Sequence, residues 1–188
     1  MSVTLYTIGH SNRDLDTFVD LLQAHDIERL ADVRRFPSSR RLPQFNRDAL
    51  ASALAEGGIG YAWFEKLGGR RSGFKEADSP NLGLRVHGFR QYADYMQTVP
   101  FQEAAKALFD RAASHLTALM CAEAVYWRCH RRLISDYAIA RGHHVYHIMD
   151  RQTARPHRLT DVAQITKGQV IYPGPLFQQQ GSAGHGSP

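Results

Sequence analysis

Apolar positions along this chain keep switching between two spacings, and the switching predicts the architecture. Val3 to Ile8 is a β-branched and aromatic run stopped by Gly9, and His10-Ser11-Asn12-Arg13-Asp14 then supplies helix-starting polar groups. Leu15, Phe18, Val19 and Leu22 recur at i, i+3, i+4 and i+7, which predicts an amphipathic helix ending near His25. Residues 29–34 read as a second strand. A proline-containing loop leads to Asn46 as the cap of a helix carrying Leu50 and Leu54 and closed by Gly57-Gly58. Residues 59–64 form the third strand. The stretch 67–87 is glycine-rich, basic and without a clear period, long enough to be either a functional lid, the preferred reading, or a mobile loop. Phe89, Tyr92, Ala93 and Met96 predict a helix, and Pro100 begins another with Ala104, Ala105 and Leu108. His115 to Met120 leads into a fourth strand with Cys121-Ala122-Glu123 as its carboxyl end. Cys129-His130-Arg131 opens a helix that buries Leu133, Ile134, Tyr137 and Ala138 and stops at Gly142, and residues 144–149 are a fifth strand.

Strands alternating with helices predict a single α/β domain over residues 1–180, with its motifs within about 4–150. The expected form is a mainly parallel, Rossmann-like three-layer sheet with helices on both faces. Gln169 to Tyr172 reads as a short edge strand before Pro173-Gly174-Pro175, and residues 181–188 as a disordered tail.

Composition narrows the class. The 188 residues, 43% hydrophobic, suit one core. Neither a run of roughly 20 apolar residues nor a secretion signal is visible, so a cytoplasmic protein without a membrane partner is expected. Two cysteines are too few for a disulfide scaffold; they are thiols, metal ligands or a catalytic pair. A net charge of +5 and a pI near 9.4 favour an anionic small molecule or a nucleic acid as partner. The basic residues recur as Arg34-Arg35, Arg40-Arg41, Arg70-Arg71 and Arg128 to Arg132, a distribution that suggests one pocket built from several loops. A Walker lysine and a Gly-x-Gly-x-x-Gly motif are both absent, so the sequence names no cofactor and leaves the oligomeric state open.

In a parallel sheet, ligands bind beyond the carboxyl ends of the strands. Those ends carry Gly9-His10-Ser11, Asp32-Val33-Arg34, Tyr61 followed by Leu67-Gly68-Gly69-Arg70, and Cys121-Ala122-Glu123. Gly9, Gly68 and Gly69 allow tight turns or a close approach to an anion, and Arg34 and Arg70 offer paired donors to phosphate or carboxylate. Cys129, at a helix start beside His130, Arg128, Arg131 and Arg132, is expected to have a lowered pKa and is the nucleophile candidate. Cys121 is its redox partner or a packed thiol. Glu123 is a general base, or a counter-ion to Arg34 or Arg131, on the same side as Cys121 if the strand continues that far. His130 orients a phosphate, shuttles protons or caps the helix. The candidate catalytic set is therefore Cys129, Glu123, His10, Cys121 and His130. The candidate substrate-binding set is Ser11, Asp32, Arg34, Tyr61, Gly68, Gly69, Arg70 and Arg131. A Cys-x₅-Arg phosphate loop does not fit, since six residues separate Cys121 from Arg128. Without a Cys-x-x-Cys pair no metal site is expected, although Cys121, Glu123, Cys129 and His130 could form one if the loop folds back.

Taken in order, Thr7-Ile8-Gly9-His10-Ser11, Asp32-Val33-Arg34 with Pro37 and Ser38, Tyr61 with Leu67-Gly68-Gly69-Arg70, and Cys121-Ala122-Glu123 with Cys129-His130-Arg131 resemble the bacterial and archaeal family catalogued as domain of unknown function 488. The resemblance covers roughly residues 4–150 and implies an α/β fold with a shared site but no assigned activity. One departure is visible: the family pattern tends to carry a proline between the glutamate and the second cysteine, where this chain has Ala124-Val125-Tyr126-Trp127-Arg128. Two functions fit these residues. One is an enzyme acting on a phosphorylated, nucleotide or nucleic-acid substrate, with Cys129 as nucleophile and Glu123 or His10 as its acid/base partner. The other is a non-catalytic nucleic-acid-binding or regulatory module that stacks bases on Tyr61, Trp63, Phe36 or Phe74.

Overall fold

The computed structural model describes residues 2–174. Its main sheet has six strands, β1 (Thr4–Gly9), β2 (Arg29–Asp32), β3 (Gly60–Trp63), β4 (Thr117–Cys121), β5 (His144–Ile148) and β6 (Ala154–Pro156), in the order β3-β2-β4-β1-β5-β6. The first five are parallel and β6 runs antiparallel to β5, giving a mainly parallel α/β fold.

Five α-helices cover the two faces: α1 (Leu15–Gln23), α2 (Arg47–Glu56), α3 (His87–Tyr95), α4 (Val99–Ala112) and α5 (Arg131–Ala140). On one face Phe18 and Leu22 of α1 and Leu50 and Leu54 of α2 pack on Ile8, Leu30 and Met120. Tyr92, Phe101, Leu108, Leu133 and Ile134, from the other three helices, pack on Leu5, Ala31 and Leu119. Each such side chain, fully buried, contributes about 1.5–3 kcal/mol. Among the described residues, no helix is long and apolar enough to cross a membrane.

Local chemistry explains the helix starts. Asp14 caps α1 by accepting from Thr17 N at 2.7 Å. Asn46 precedes α2 as expected, but its Oδ1 accepts from Ser39 N and so braces the proline-containing loop instead of the helix. Gly142 ends α5 at a φ of +81°, a conformation that favours glycine.

Two expectations need correction. The fourth strand ends at Cys121, so Glu123 lies on the following loop and does not share a strand face with Cys121. Gln169–Ile171 (β8) does not edge the main sheet; it pairs antiparallel with Gln164–Thr166 (β7) in a separate hairpin. The edge position belongs to β6 instead. The tail 181–188 lies outside the described residues.

Candidate functional site

Parallel register brings the ends of four strands level. Gly9 lies opposite Cys121, and Asp32 opposite both Trp63 and Met120. Beyond them opens a cavity of about 540 Å³ whose wall includes Arg34, Gly69, Arg70, Cys121, Glu123, Cys129 and His130. Arg35, Phe36, Ser38 and Arg128 complete its rim.

Two thiols meet here, Cys121 at the end of β4 and Cys129 just before α5. Cys121, Cys129 and His130 present their ligand atoms within 4.8 Å of one another. Cys129 Sγ lies 3.6 Å from His130 Nδ1 and accepts from Arg131 Nε at 3.4 Å. A hydrogen bond from Cys121 does most to hold the Cys129 thiol well below its usual pKa; the charges of His130 and Arg131 pull the same way, against burial. The same shared proton, with burial, pushes Cys121 well up. Of the two sulfurs, Cys129 is the one whose surroundings favour the thiolate. His130 Nε2 donates to Val33 O at 2.9 Å, which fixes the ring and leaves Nδ1 facing the sulfur. The three groups could hold a zinc-sized cation. Arg131, set directly against Cys129, already supplies positive charge at the sulfur, an arrangement that suits a thiolate neutralised by protein.

Several residues expected to touch substrate support those that line the cavity. Asp32, fully buried, accepts from Arg34 Nε and Nη2 at 2.9 and 2.6 Å and from Tyr61 OH at 2.7 Å. The pair holds Arg34, which is only 6% exposed, with the guanidinium pKa raised despite burial. Asp32 and Tyr61 therefore aim Arg34; neither lines the cavity. His10 stands behind it. Its Nδ1 donates to Ser11 O, its Nε2 faces Arg34 Nη1 at 3.4 Å, and its ring stacks on Phe45. Burial, with Arg34 adding repulsion, pushes His10 down to about 4, so it is a neutral prop outside the cavity wall.

Glu123 reaches the cavity, but the counter-ion role expected of it is filled otherwise. Arg34 pairs with Asp32, and Arg131 Nη2 donates to the backbone carbonyl of Glu123 at 2.5 Å. At the three glycines the protein itself approaches closely. A Cβ on Gly9 would lie 1.9 Å from Glu123 O, one on Gly68 2.7 Å from Arg35 Cα, and one on Gly69 2.9 Å from His130 Nδ1. Ser11, at a φ of +51°, turns the chain after β1 and bonds to Ala122 O through its backbone N–H.

Residues 14–138 match the family model described as domain of unknown function DUF488. The chain belongs to this family. In this DUF488 chain the match contains the Asp32, Gly68 and Cys121–Arg131 motifs and begins after His10. No curated protein and no solved structure matches the chain.

A second cluster adjoins the site and was not foreseen from sequence. Thr7 Oγ1 meets His147 Nδ1 at 2.7 Å, His147 Nε2 meets His157 Nδ1 at 2.9 Å, and His157 Nε2 meets Asp136 Oδ1 at 2.8 Å. Tyr126, on the short 3-10 turn Tyr126–Arg128, stacks on His147 with ring centres 3.4 Å apart. This places the turn that carries Trp127 and Arg128 on a buried polar platform. The one sequence signal was His147 itself, a polar residue at an inward position of an apolar strand.

Proposed function

We propose that this chain is an enzyme that uses the Cys129 thiolate on an anionic, phosphate-bearing substrate. The observation that carries the reading is the Cys129 sulfur, on the wall of a cavity rimmed by Arg35, Arg70 and Arg128 and set between His130 Nδ1 and Arg131 Nε. Arginines at the rim bind the anionic part of the substrate through paired donors. The Cys129 proton passes to His130 Nδ1, Sγ forms a bond to the electrophilic centre as the bond to the departing group breaks, and Nδ1 gives that proton to the departing group. Glu123, exposed on the same wall, takes a proton from the water that releases product. A binding module has no use for a thiolate held in this way, which is why the catalytic reading is preferred to the non-catalytic one.

The test has two arms. In a Cys121→Ser background, iodoacetamide should alkylate Cys129 with a pH midpoint below the roughly 8.5 of a free thiol. A midpoint at or above that value overturns the nucleophile assignment. On a panel of phosphorylated metabolites and oligonucleotides, Cys129→Ser should lower turnover at least ~10³-fold, as nucleophile removal does in covalent enzymes. Unchanged turnover sinks the reading, as does stoichiometric zinc in the purified protein that is lost with Cys129→Ser.

A further inference from the structure

The cavity at Cys129 does not end at its own rim. A second cavity of about 730 Å³ shares Val86, Phe89 and Arg128 with it and continues across the start of α5. Either cavity alone is on the scale of a complete small-molecule site, typically ~300–1,000 Å³. Joined, they exceed what one mononucleotide or phosphorylated metabolite fills.

The chemistry of the extension is one-sided. It adds Arg85, Arg132 and Arg158 to the arginines of the first cavity, against one carboxylate, Asp161. None of these three arginines, nor Arg128, forms an ion pair among the described residues, whereas Arg47, Arg90 and Arg151 elsewhere do. Arg132 Nε is moreover buried with no hydrogen-bond partner among the described residues. Its guanidinium lies over the ring of Phe89, a residue of both cavity walls, at 5.2 Å, which holds the charge beside the trough. Each cavity also has one exposed aromatic side chain on its wall, Phe36 in the first at 66% exposure and Trp127 in the second at 47%. The remaining aromatics once open to a stacking role are engaged. Tyr61 OH donates to Asp32, Trp63 Nε1 donates to Arg34 O, and Phe74 packs on the core.

We propose that the two cavities form one trough for single-stranded nucleic acid, with the phosphodiester backbone on the arginines and unpaired bases against Phe36 and Trp127. Guanidinium groups for phosphates, interleaved with exposed aromatic faces, are how single strands are held without sequence readout. A duplex offers no free base faces to those rings, and an acidic peptide offers nothing to stack on them. The proposal rests on the phosphate-bearing substrate proposed above and names its class: the reacting residue of a polymer lies at Cys129 while its neighbours occupy the extension.

The test is fluorescence anisotropy with labelled oligo-dT of 2 and 12 nucleotides, a 12-base-pair duplex and poly-glutamate, on the full chain. The 12-mer should bind at least tenfold tighter than the 2-mer and than the duplex, and poly-glutamate should compete poorly. Trp127→Ala and the pair Arg132→Ala and Arg158→Ala should each weaken the 12-mer about fivefold or more and leave the 2-mer unchanged. Because counterion release scales with the number of phosphates neutralised, the double arginine variant should also flatten the salt dependence by roughly 0.7 in log–log slope for each phosphate that it no longer neutralises. No length dependence, equal duplex affinity, effective competition by poly-glutamate, or a 12-mer indifferent to Trp127→Ala would each overturn the trough. The measurement is separable from catalysis: Cys129→Ser should bind the 12-mer as wild type does. Binding by a chain whose turnover survives that change would refute only the nucleophile. A phosphorylated small molecule turned over through Cys129 without oligonucleotide binding would refute only the trough.

Discussion

Two polar clusters flank the start of α5, and they differ in how fully the protein satisfies them. In the buried one, Asp136 accepts four hydrogen bonds, from His157 Nε2, the Thr160 amide, the Thr160 hydroxyl and the Tyr172 hydroxyl. Starting from that carboxylate, the direction of each bond is set: His157 donates to Asp136, His147 donates to His157, and Thr7 donates to His147. The chain of donors and acceptors closes inside the protein. In the cavity cluster, the exposed Arg70, Arg128 and Arg158 form no ion pair among the described residues and face open space. A closed network specifies a shape, and an open one specifies a ligand. Tyr126 joins the two, since its ring lies on His147 while its turn carries Trp127 and Arg128 outward.

The contrast is broken most directly by removing one charge from each side. Asp136→Ala strands four donor groups on three residues and should destabilise the fold by about 3–5 kcal/mol, the usual cost of deleting one partner of a buried charged network. Arg128→Ala, on the exposed rim, should stay within ~0.5 kcal/mol in the same urea titration. If both variants unfold at the wild-type midpoint, the closed network is not the scaffold it is taken to be.

Acid probes the same difference with a smaller effect. His10 and His147 are pushed down to about 4 and about 3 from an ordinary 6.5, both chiefly by burial. Below pH 6.5 the unfolded chain takes up protons at both residues while the native chain does not. Unfolded molecules therefore carry more protons in that window, and stability rises with pH across it. The contribution is complete above about 6.5 and is lost as pH falls through about 4 and then about 3. At ~1.4 kcal/mol per unit, the two histidines together cost a few kcal/mol or more at the acid end. Replacing His147 with glutamine should remove part of this slope in urea unfolding between pH 4 and 6.5; an unaltered slope would mean His147 does not titrate as described.

What was legible in the chain follows from the range over which each signal acts. The five parallel strands and five helices were readable because Leu15, Phe18 and Leu22, or Leu133, Ile134 and Tyr137, carry their period within one element. β6 was not, because three residues that include Pro156 give no pattern, and pairing with β5 alone defines it. At the site, the meeting of Cys121, Glu123, Cys129, His130, Arg34 and Arg70 was legible from the rule about strand ends. The supporting role of Asp32, Tyr61 and His10 was not, since it depends on which neighbour Arg34 selects. The Asp136–His157–His147 chain joins α5, the segment after β6 and β5, and nothing local announces such a meeting.

The smallest expected effect is also the most discriminating, because it separates shape from chemistry at two glycines. A methyl group on Gly69 would sit 2.9 Å from His130 Nδ1 and 3.3 Å from Cγ, so the ring must tilt. His130 is held on its other side by Val33 O, and the compliant contact is the 3.6 Å approach of Nδ1 to Cys129 Sγ. Gly69→Ala should therefore leave the unfolding midpoint nearly unchanged, within ~0.5 kcal/mol, while raising the pH midpoint for alkylation of Cys129. Gly58 is the mirror case. Nothing lies within 4 Å of an added Cβ there, but its φ of +76° strains any other residue. Gly58→Ala should cost about 1 kcal/mol and leave Cys129 reactivity as it was. A Gly69 variant that loses stability but keeps its alkylation profile would show that His130 does not tune the thiolate, and that the loop at 68–70 serves only to pack.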